Sequence, residues 1–129
     1  MGNTSPVGLG ETLHTPEWVE TCKAGGTITK GQVVKLSSAP GSDGIATVAA
    51  AAATEIAYGV ALRNASSGDY IPVLKRGYVT VTAAGSVTAG GYIKPAAGGK
   101  VQAATAFEMG WAVTGASNDG DTLLVRVVL

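Results

Sequence analysis

The chain has 129 residues and a mass of 12.8 kDa, the size of one domain and too short for two full ones. Nine Lys and Arg balance nine Asp and Glu, so the formal net charge is zero. This balance excludes the basic surface expected of a protein that binds nucleic acid or anionic lipid. Charged residues make up only 14% of the chain, against about 25% in soluble domains. We therefore expect the chain to associate with copies of itself.

The apolar residues are mainly Val, Ile, Leu and Ala, and few are aromatic, which predicts a thin aliphatic core. No run approaches the roughly 18–20 apolar residues of a membrane span, so no membrane partner is expected. Residues 1–6 lack the basic and apolar regions of a secretion signal. We expect the protein to be made and assembled in the cytoplasm of its host.

Residues 1–23 are predicted to form an extended N-terminal arm, because Asn3–Gly10 is rich in Gly, Ser, Thr and Pro. At its end, Thr15 and Pro16 fit the start of a short helix. A strand over Trp18–Lys23 is an equal alternative.

Residues 24–129 are predicted to form a single β domain built from an internal duplication. Residues 26–35 match 85–94, each as a glycine-punctuated turn followed by a strand. Tyr58-Gly59-Val60-Ala61-Leu62 matches Met109-Gly110-Trp111-Ala112-Val113 in the same way. The repeat units cover about 26–76 and 85–129, and the first has a longer loop near Ser37–Gly44. One unit used twice predicts two similar sheets or half-barrels that share a core.

The two units predict an all-β small barrel or sandwich, since their strands are short and evenly spaced. Gly77 is expected to break the chain between two of these strands, and Pro72 indicates an edge or a bulge. The terminal strand is strongly aliphatic and needs cover on both faces, so Leu124, Val128 and Leu129 are candidates for self-association. The predicted strands are Gln32–Leu36, Ile45–Ala49, Ile56–Leu62, Tyr70–Arg76, Tyr78–Thr82, Tyr92–Lys94, Lys100–Ala103, Phe107–Thr114 and Thr122–Leu129.

Catalytic residues are not predicted. His14 is the one histidine and lies in the arm, and no serine occupies a G-x-S-x-G turn. Cys22 is the one cysteine, so an intrachain disulfide is impossible and a small buried residue is expected. The pair Lys75-Arg76 is interpreted as a solvated strand end. We expect no enzyme activity and no cofactor.

No metal site is predicted either. Asp119 and Asp121 flank a glycine as in calcium loops, but their spacing departs from the calcium-binding pattern and no Glu follows. Whether these two carboxylates hold a cation is left open. The glycines of residues 26–31 and 85–90 have the spacing of a phosphate loop without its Lys-Ser/Thr, and are interpreted as structural.

The segment Tyr58–Asp69, followed by Val73–Gly77, resembles the "GVAL-x-x-A-x-x-G-(D/E) … V-x-L-x-G" pattern of phage capsid decoration (cement) proteins. Val87-Thr88-Ala89-Gly90 and the Gly-Asp … Val-Arg-Val-Val-Leu ending follow the same pattern, and the resemblance covers about residues 24–129. It implies an all-β body of the lambda-decoration-protein or β-tulip type.

The resemblance also implies a structural virion protein on the outside of a phage capsid, where a trimer clamps neighbouring subunits of the major capsid protein. In several such proteins an N-terminal arm reaches across the coat surface. Pro6, Val7, Leu9 and Trp18 are therefore the candidate capsid contacts of this chain.

A non-catalytic ligand- or glycan-binding β module is the alternative. Glycine-punctuated turns of this kind also occur in such modules, and Tyr70 beside Asp69 is the candidate sugar-binding pair. An unmodified trimer in solution would favour the capsid protein, whereas a monomer would favour the alternative.

Overall fold

The structure of the protein is a computed structural model that describes residues 16–129. Nine strands of this part form one continuous sheet, and one 3₁₀ turn at Ala97–Gly99 is the helical element among them. The prediction of an all-β fold is confirmed. The strands are β1 (Trp18–Ala24), β2 (Val33–Ser38), β3 (Thr47–Ala50), β4 (Gly59–Ala61), β5 (Tyr70–Thr82), β6 (Tyr92–Ala96), β7 (Lys100–Ala103), β8 (Gly110–Ala112) and β9 (Thr122–Val128).

Two small five-stranded barrels share strand β5. In the first barrel the order β1-β3-β2-β4-β5 closes because β1 also pairs with β5, where Cys22 lies opposite Ile71. In the second barrel the order is β5-β9-β8-β6-β7, and a parallel bridge between Ala83 and Val101 joins its two ends. Closing a sheet on itself removes exposed edges.

The two barrels repeat one set of backbone contacts. The bridge between Ile28 and Ala65 recurs as the bridge between Val87 and Ala116. The predicted duplication is confirmed as two barrels with a common strand. Further matching pairs are Gly68 N to Ala24 O with Gly120 N to Ala83 O, and Gly31 N to Ala61 O with Gly90 N to Ala112 O.

Strand β5 runs without interruption through Gly77, so the predicted break there is wrong. Gly77 has a φ of 139°, and a Cβ at this position would lie 3.3 Å from Leu74 Cδ1 and 3.4 Å from Glu17 N. A glycine thus lets one strand bend from the first barrel into the second. Pro72 is not on an edge strand, because it pairs with Thr21 on one side and its carbonyl accepts a hydrogen bond from Leu62 on the other.

Of the two alternatives for the end of the arm, the strand is the one that forms. Trp18–Ala24 is β1, which pairs with β5 along most of its length. The start of the predicted arm, including Pro6, Val7, Leu9 and His14, lies outside the described residues.

The core is thin and aliphatic, as the composition predicts, and it has two parts. The interior of the first barrel contains Val34, Val48, Ile71 and Val73 around the buried Cys22. The second part combines the interior of the second barrel with residues of the first barrel that lie outside its own interior. They are Val33, Ala51, Ala57, Val60 and Leu74, of which Val33, Val60 and Leu74 are fully buried. The barrels are therefore packed together by a buried apolar layer, in which each such side chain contributes about 1.5–3 kcal/mol.

Strand β8 passes unusually close to β9 at Gly110. The φ of Gly110 is 154°, and a Cβ there would lie 1.8 Å from the carbonyl oxygen of Arg126. Gly59 has the same place in the first barrel, where a Cβ would lie 2.3 Å from Val73 Cγ1. These two glycines of the repeat are required by packing.

Candidate functional site

A polar cluster lies in the first barrel, at the end of its aliphatic interior. Its centre is Lys75, whose exposed fraction is only 8%. Lys75 Nζ donates a hydrogen bond to the backbone carbonyl of Tyr58 over 2.6 Å and lies 3.4 Å from the centroid of the Tyr58 ring. The ring of Trp18 is 5.7 Å away on another strand. Two aromatic faces and a carbonyl thus hold the buried cation.

The Glu20 carboxylate connects the other members of this polar cluster. It accepts a hydrogen bond from the Tyr58 hydroxyl, and the Cys22 thiol lies 3.6 Å from it. The bond to Glu20, with burial as the second cause, raises the pKa of Tyr58 to about 12. Burial raises the pKa of Cys22 to about 12, and Glu20 adds to this shift. Cys22 is thus held as a thiol, which is unsuited to nucleophilic chemistry.

Burial lowers the pKa of Lys75, and the negative charge of Glu20 opposes that shift. The interpretation of Lys75-Arg76 as a solvated strand end is therefore wrong for Lys75, although Arg76 is exposed. The sequence pattern missed this because the side chain of Lys75 points the same way as Ile71 and Val73, into the first barrel.

The same positions of the second barrel are apolar. Val79 and Val127 correspond to Glu20 and Lys75, since the strands pair Glu20 with Val73 and Val79 with Val125. Met109 precedes Gly110 as Tyr58 precedes Gly59, and Val81 takes the place of Cys22. The duplicated fold therefore does not need the polar residues. Their presence in one copy alone marks this end of the first barrel as a candidate functional region.

An aromatic face covers the outside of the second barrel. Tyr92 of β6 lies opposite Trp111 of β8, and the rings of Tyr92 and Phe107 meet edge to face at 6.2 Å between centroids. Val113 follows Trp111 on the same side of the sheet, and its backbone N–H donates a hydrogen bond to the carbonyl of Leu124. We call the five residues Tyr92, Phe107, Trp111, Val113 and Leu124 the aromatic face. Four of them are exposed large hydrophobic side chains, with exposed fractions of 44% for Tyr92, 50% for Phe107, 37% for Trp111 and 40% for Val113.

Beside the aromatic face, Arg126 joins the second barrel to the start of the described chain. Both of its terminal nitrogens bond to the Glu17 carboxylate, one of them over 2.9 Å, and its guanidinium lies 5.0 Å from the centroid of the Tyr78 ring. The bond to Arg126 lowers the pKa of Glu17 and raises that of Arg126. A bidentate pair of this kind fixes geometry as well as charge.

The predicted contact residues that fall within residues 16–129 are distributed over both barrels. Trp18 is exposed on β1, beside the polar cluster. Leu124 and Val128 are half-buried on the outer side of β9, the side of Arg126. Leu129 packs against the core, and its N–H donates to the carbonyl of Lys75.

The carboxylates considered for a cation are used within turns. Asp121 accepts hydrogen bonds from the backbone N–H groups of Ser117 and Asn118, and Asp119 pairs with Lys100 at 2.9 Å. Among residues 16–129 no group of three or more His, Cys, Asp and Glu side chains has an arrangement able to hold a metal ion.

The candidate sugar-binding pair is also partly engaged. The Asp69 carboxylate accepts a hydrogen bond from Ser66 N, which closes its turn, and Tyr70 is exposed next to it. A pocket of about 400 Å³ is lined by Asp69 together with Thr29 and Asn64, but Tyr70 is not among its lining residues. In the part of the chain that the structure describes, no helix has the length and hydrophobicity to span a bilayer.

Comparison with protein families matches residues 51–127, more than half of the chain, to the XM1 gp53 minor capsid protein family. The chain belongs to this family. It is a structural protein associated with the capsid of a bacteriophage, which confirms the resemblance to phage capsid proteins. A comparison with curated proteins found no match.

Among solved structures, the chain is similar to the N base of head fiber gp8.5 in bacteriophage phi29. The TM-score is 0.68 with 19% sequence identity, over 85% of this chain and 92% of that one. At this identity the likeness supports the fold, and it does so over nearly the whole of both chains. The small-barrel fold is thus found in another protein of a phage head.

Proposed function

We propose that the protein binds the outside of a phage capsid and stabilises it, as a trimer that clamps neighbouring subunits of the major capsid protein. The match of residues 51–127 to a minor capsid protein family is the observation that carries this proposal. The similar fold in a head fiber base supports a position on the phage head. The place of action would be the surface of the virion, after assembly in the host cytoplasm.

The shape of the molecule suits a clamp. Two fused barrels with buried aliphatic interiors make a rigid body, because interiors of this kind are close-packed. The aromatic face, which includes the half-buried Leu124, and the half-buried Val128 beside it supply apolar surface for contacts with other subunits. Repetition of weak contacts over a shell then gives high overall affinity.

In this proposal the segment before the described residues reaches a neighbouring coat subunit. Residues 1–15 lie upstream of Pro16, and fifteen extended residues span up to about 50 Å. In this proposal Pro6, Val7 and Leu9 contact the coat, with Trp18 at the base of the arm. The bidentate pair of Glu17 and Arg126 ties the chain just before β1 to the second barrel.

Deleting residues 1–15 tests the proposal. Purified protein is mixed with capsids that lack it, and bound protein is measured by sedimentation with the capsids. We expect the truncated protein to keep its fold and its oligomeric state but to lose at least about tenfold in capsid affinity. A second variant replaces Pro6, Val7 and Leu9 by Ser in the full chain. It keeps the length of the arm and therefore separates the effect of these side chains from the effect of arm length. Capsid occupancy equal to that of the full chain would contradict the role of the arm.

A further inference from the structure

The two barrels use equivalent surfaces differently. Val33 pairs with Val60, and Val60 with Leu74, on the outer side of the first barrel. In the second barrel the same positions pair Tyr92 with Trp111, and Trp111 with Arg126. The aromatic face and the outer side of the first barrel are therefore the same surface of the repeated unit.

Among residues 16–129, only the first of these two surfaces is covered. Val33, Val60 and Leu74 are fully buried and belong to one cluster with the interior of the second barrel. The covering barrel also supplies backbone contacts, since Gly99 N donates to Ala51 O and Gln32 Nε2 donates to Gly98 O. This surface is thus an established interface of the fold, and it is used once per chain.

The equivalent surface of the second barrel has larger and more interfacial side chains. Tyr92 and Trp111 replace two valines, and Phe107 extends the surface beside Tyr92. Tyr and Trp are enriched where protein surfaces meet, because they bury much area at low entropic cost. The charge of Arg126 beside them is already paired with Glu17, so covering this face does not leave that guanidinium without a partner.

From this equivalence we infer that the aromatic face binds the first barrel of a second copy of this chain. This contact between chains would repeat the packing that joins the two barrels within one chain. Such a contact is heterologous, since two different surfaces meet, and it closes into a ring when the rotation permits. The inference rests on the self-association in the proposed function and names its interface. Leu124 lies within this contact, and Val128 lies beside it on β9.

The test needs no capsids, so its outcome is separate from that of capsid binding. Trp111→Glu places a charge at the centre of the aromatic face, and sedimentation velocity over a range of concentrations measures the oligomer. We expect a rise of at least about 30-fold in the dissociation constant. Asn118→Glu is the matched control, because Asn118 is exposed in a turn of the second barrel and lies outside both the aromatic face and residues 24–76. This control should assemble as the unaltered chain does.

A photo-crosslink identifies the occupant. The photoreactive residue p-benzoylphenylalanine replaces Tyr92, and crosslinked peptides are identified by mass spectrometry. Crosslinks to residues 24–76 of another chain support the inference. Crosslinks to the aromatic face of another chain, to residues 1–15, or to nothing in an assembled oligomer overturn it. A chain that stays monomeric at every concentration, or a Trp111→Glu variant that assembles normally, also overturns it.

Discussion

The buried cation of the first barrel leads to a prediction about stability. Glu20→Val removes the acceptor of the Tyr58 hydroxyl and the negative charge that acts on Lys75. Hydrogen bonds to charged groups contribute about 1.5–3 kcal/mol. Because Glu20 is half-buried, we expect the lower part of this range, a loss of about 2 kcal/mol in the free energy of unfolding.

Converting Glu20, Tyr58 and Lys75 together to their second-barrel counterparts should cost less. The triple variant Glu20→Val, Tyr58→Met and Lys75→Val removes the cation together with its partners. Replacing buried ionic groups by apolar residues is often neutral or stabilising. We expect the triple variant to lie within about 1 kcal/mol of the unaltered chain, so the three substitutions are coupled by about 2 kcal/mol or more.

Urea unfolding, followed by circular dichroism at one protein concentration, measures both quantities. Asp119→Ala is the control, because it removes the partner of the exposed Lys100 and should change stability by less than about 0.5 kcal/mol. The reasoning is refuted if Glu20→Val is as mild as this control. It is also refuted if the triple variant loses the sum of the three single losses.

Two other predictions concern packing and pH. Gly110→Ala should cost about 3 kcal/mol or prevent folding, because its Cβ would overlap the carbonyl of Arg126; wild-type thermal stability would contradict this. The pKa of Tyr58 is raised from its ordinary value of 10.0 to about 12, so the folded state keeps a proton that the unfolded state loses. This stabilisation is complete below pH 10 and is lost as the pH rises to 12. Tyr58→Phe should lose less stability across that interval than the unaltered chain; an equal loss in both would exclude Tyr58 as its source. The comparison is between variants because Lys75, with its lowered pKa, acts in the opposite direction.

The sequence predicts the repeated unit well, because local chemistry determines it. Glycines at the two ends of each turn, with a β-branched residue between them, specify the same bridge twice, at Ile28 and at Val87. The alternation of Tyr78–Thr82 likewise places Val81 in the core. The all-β class, the duplication and the aliphatic core follow from such patterns.

The shared strand and the polar cluster could not be predicted in this way. A glycine such as Gly77 is typical of a turn. In the structure the backbone of Glu17 lies close beside Gly77, and the strand bends there without ending. Lys75 stands in a polar pair along the chain, and only the closure of the barrel brings Glu20 and Tyr58 around it. Long-range contacts decide both cases. The aromatic face could not be predicted either, because its equivalence to the buried surface of the first barrel is seen only when the two barrels are compared strand by strand.

Imaging capsids with and without the protein tests the central claim most directly. Electron cryomicroscopy of bare capsids after addition of the purified chain should reveal additional density on the outer surface, in clusters of three copies that bridge adjacent coat subunits. Density confined to the inner surface, isolated single copies, or a shell unchanged by the protein would contradict the account.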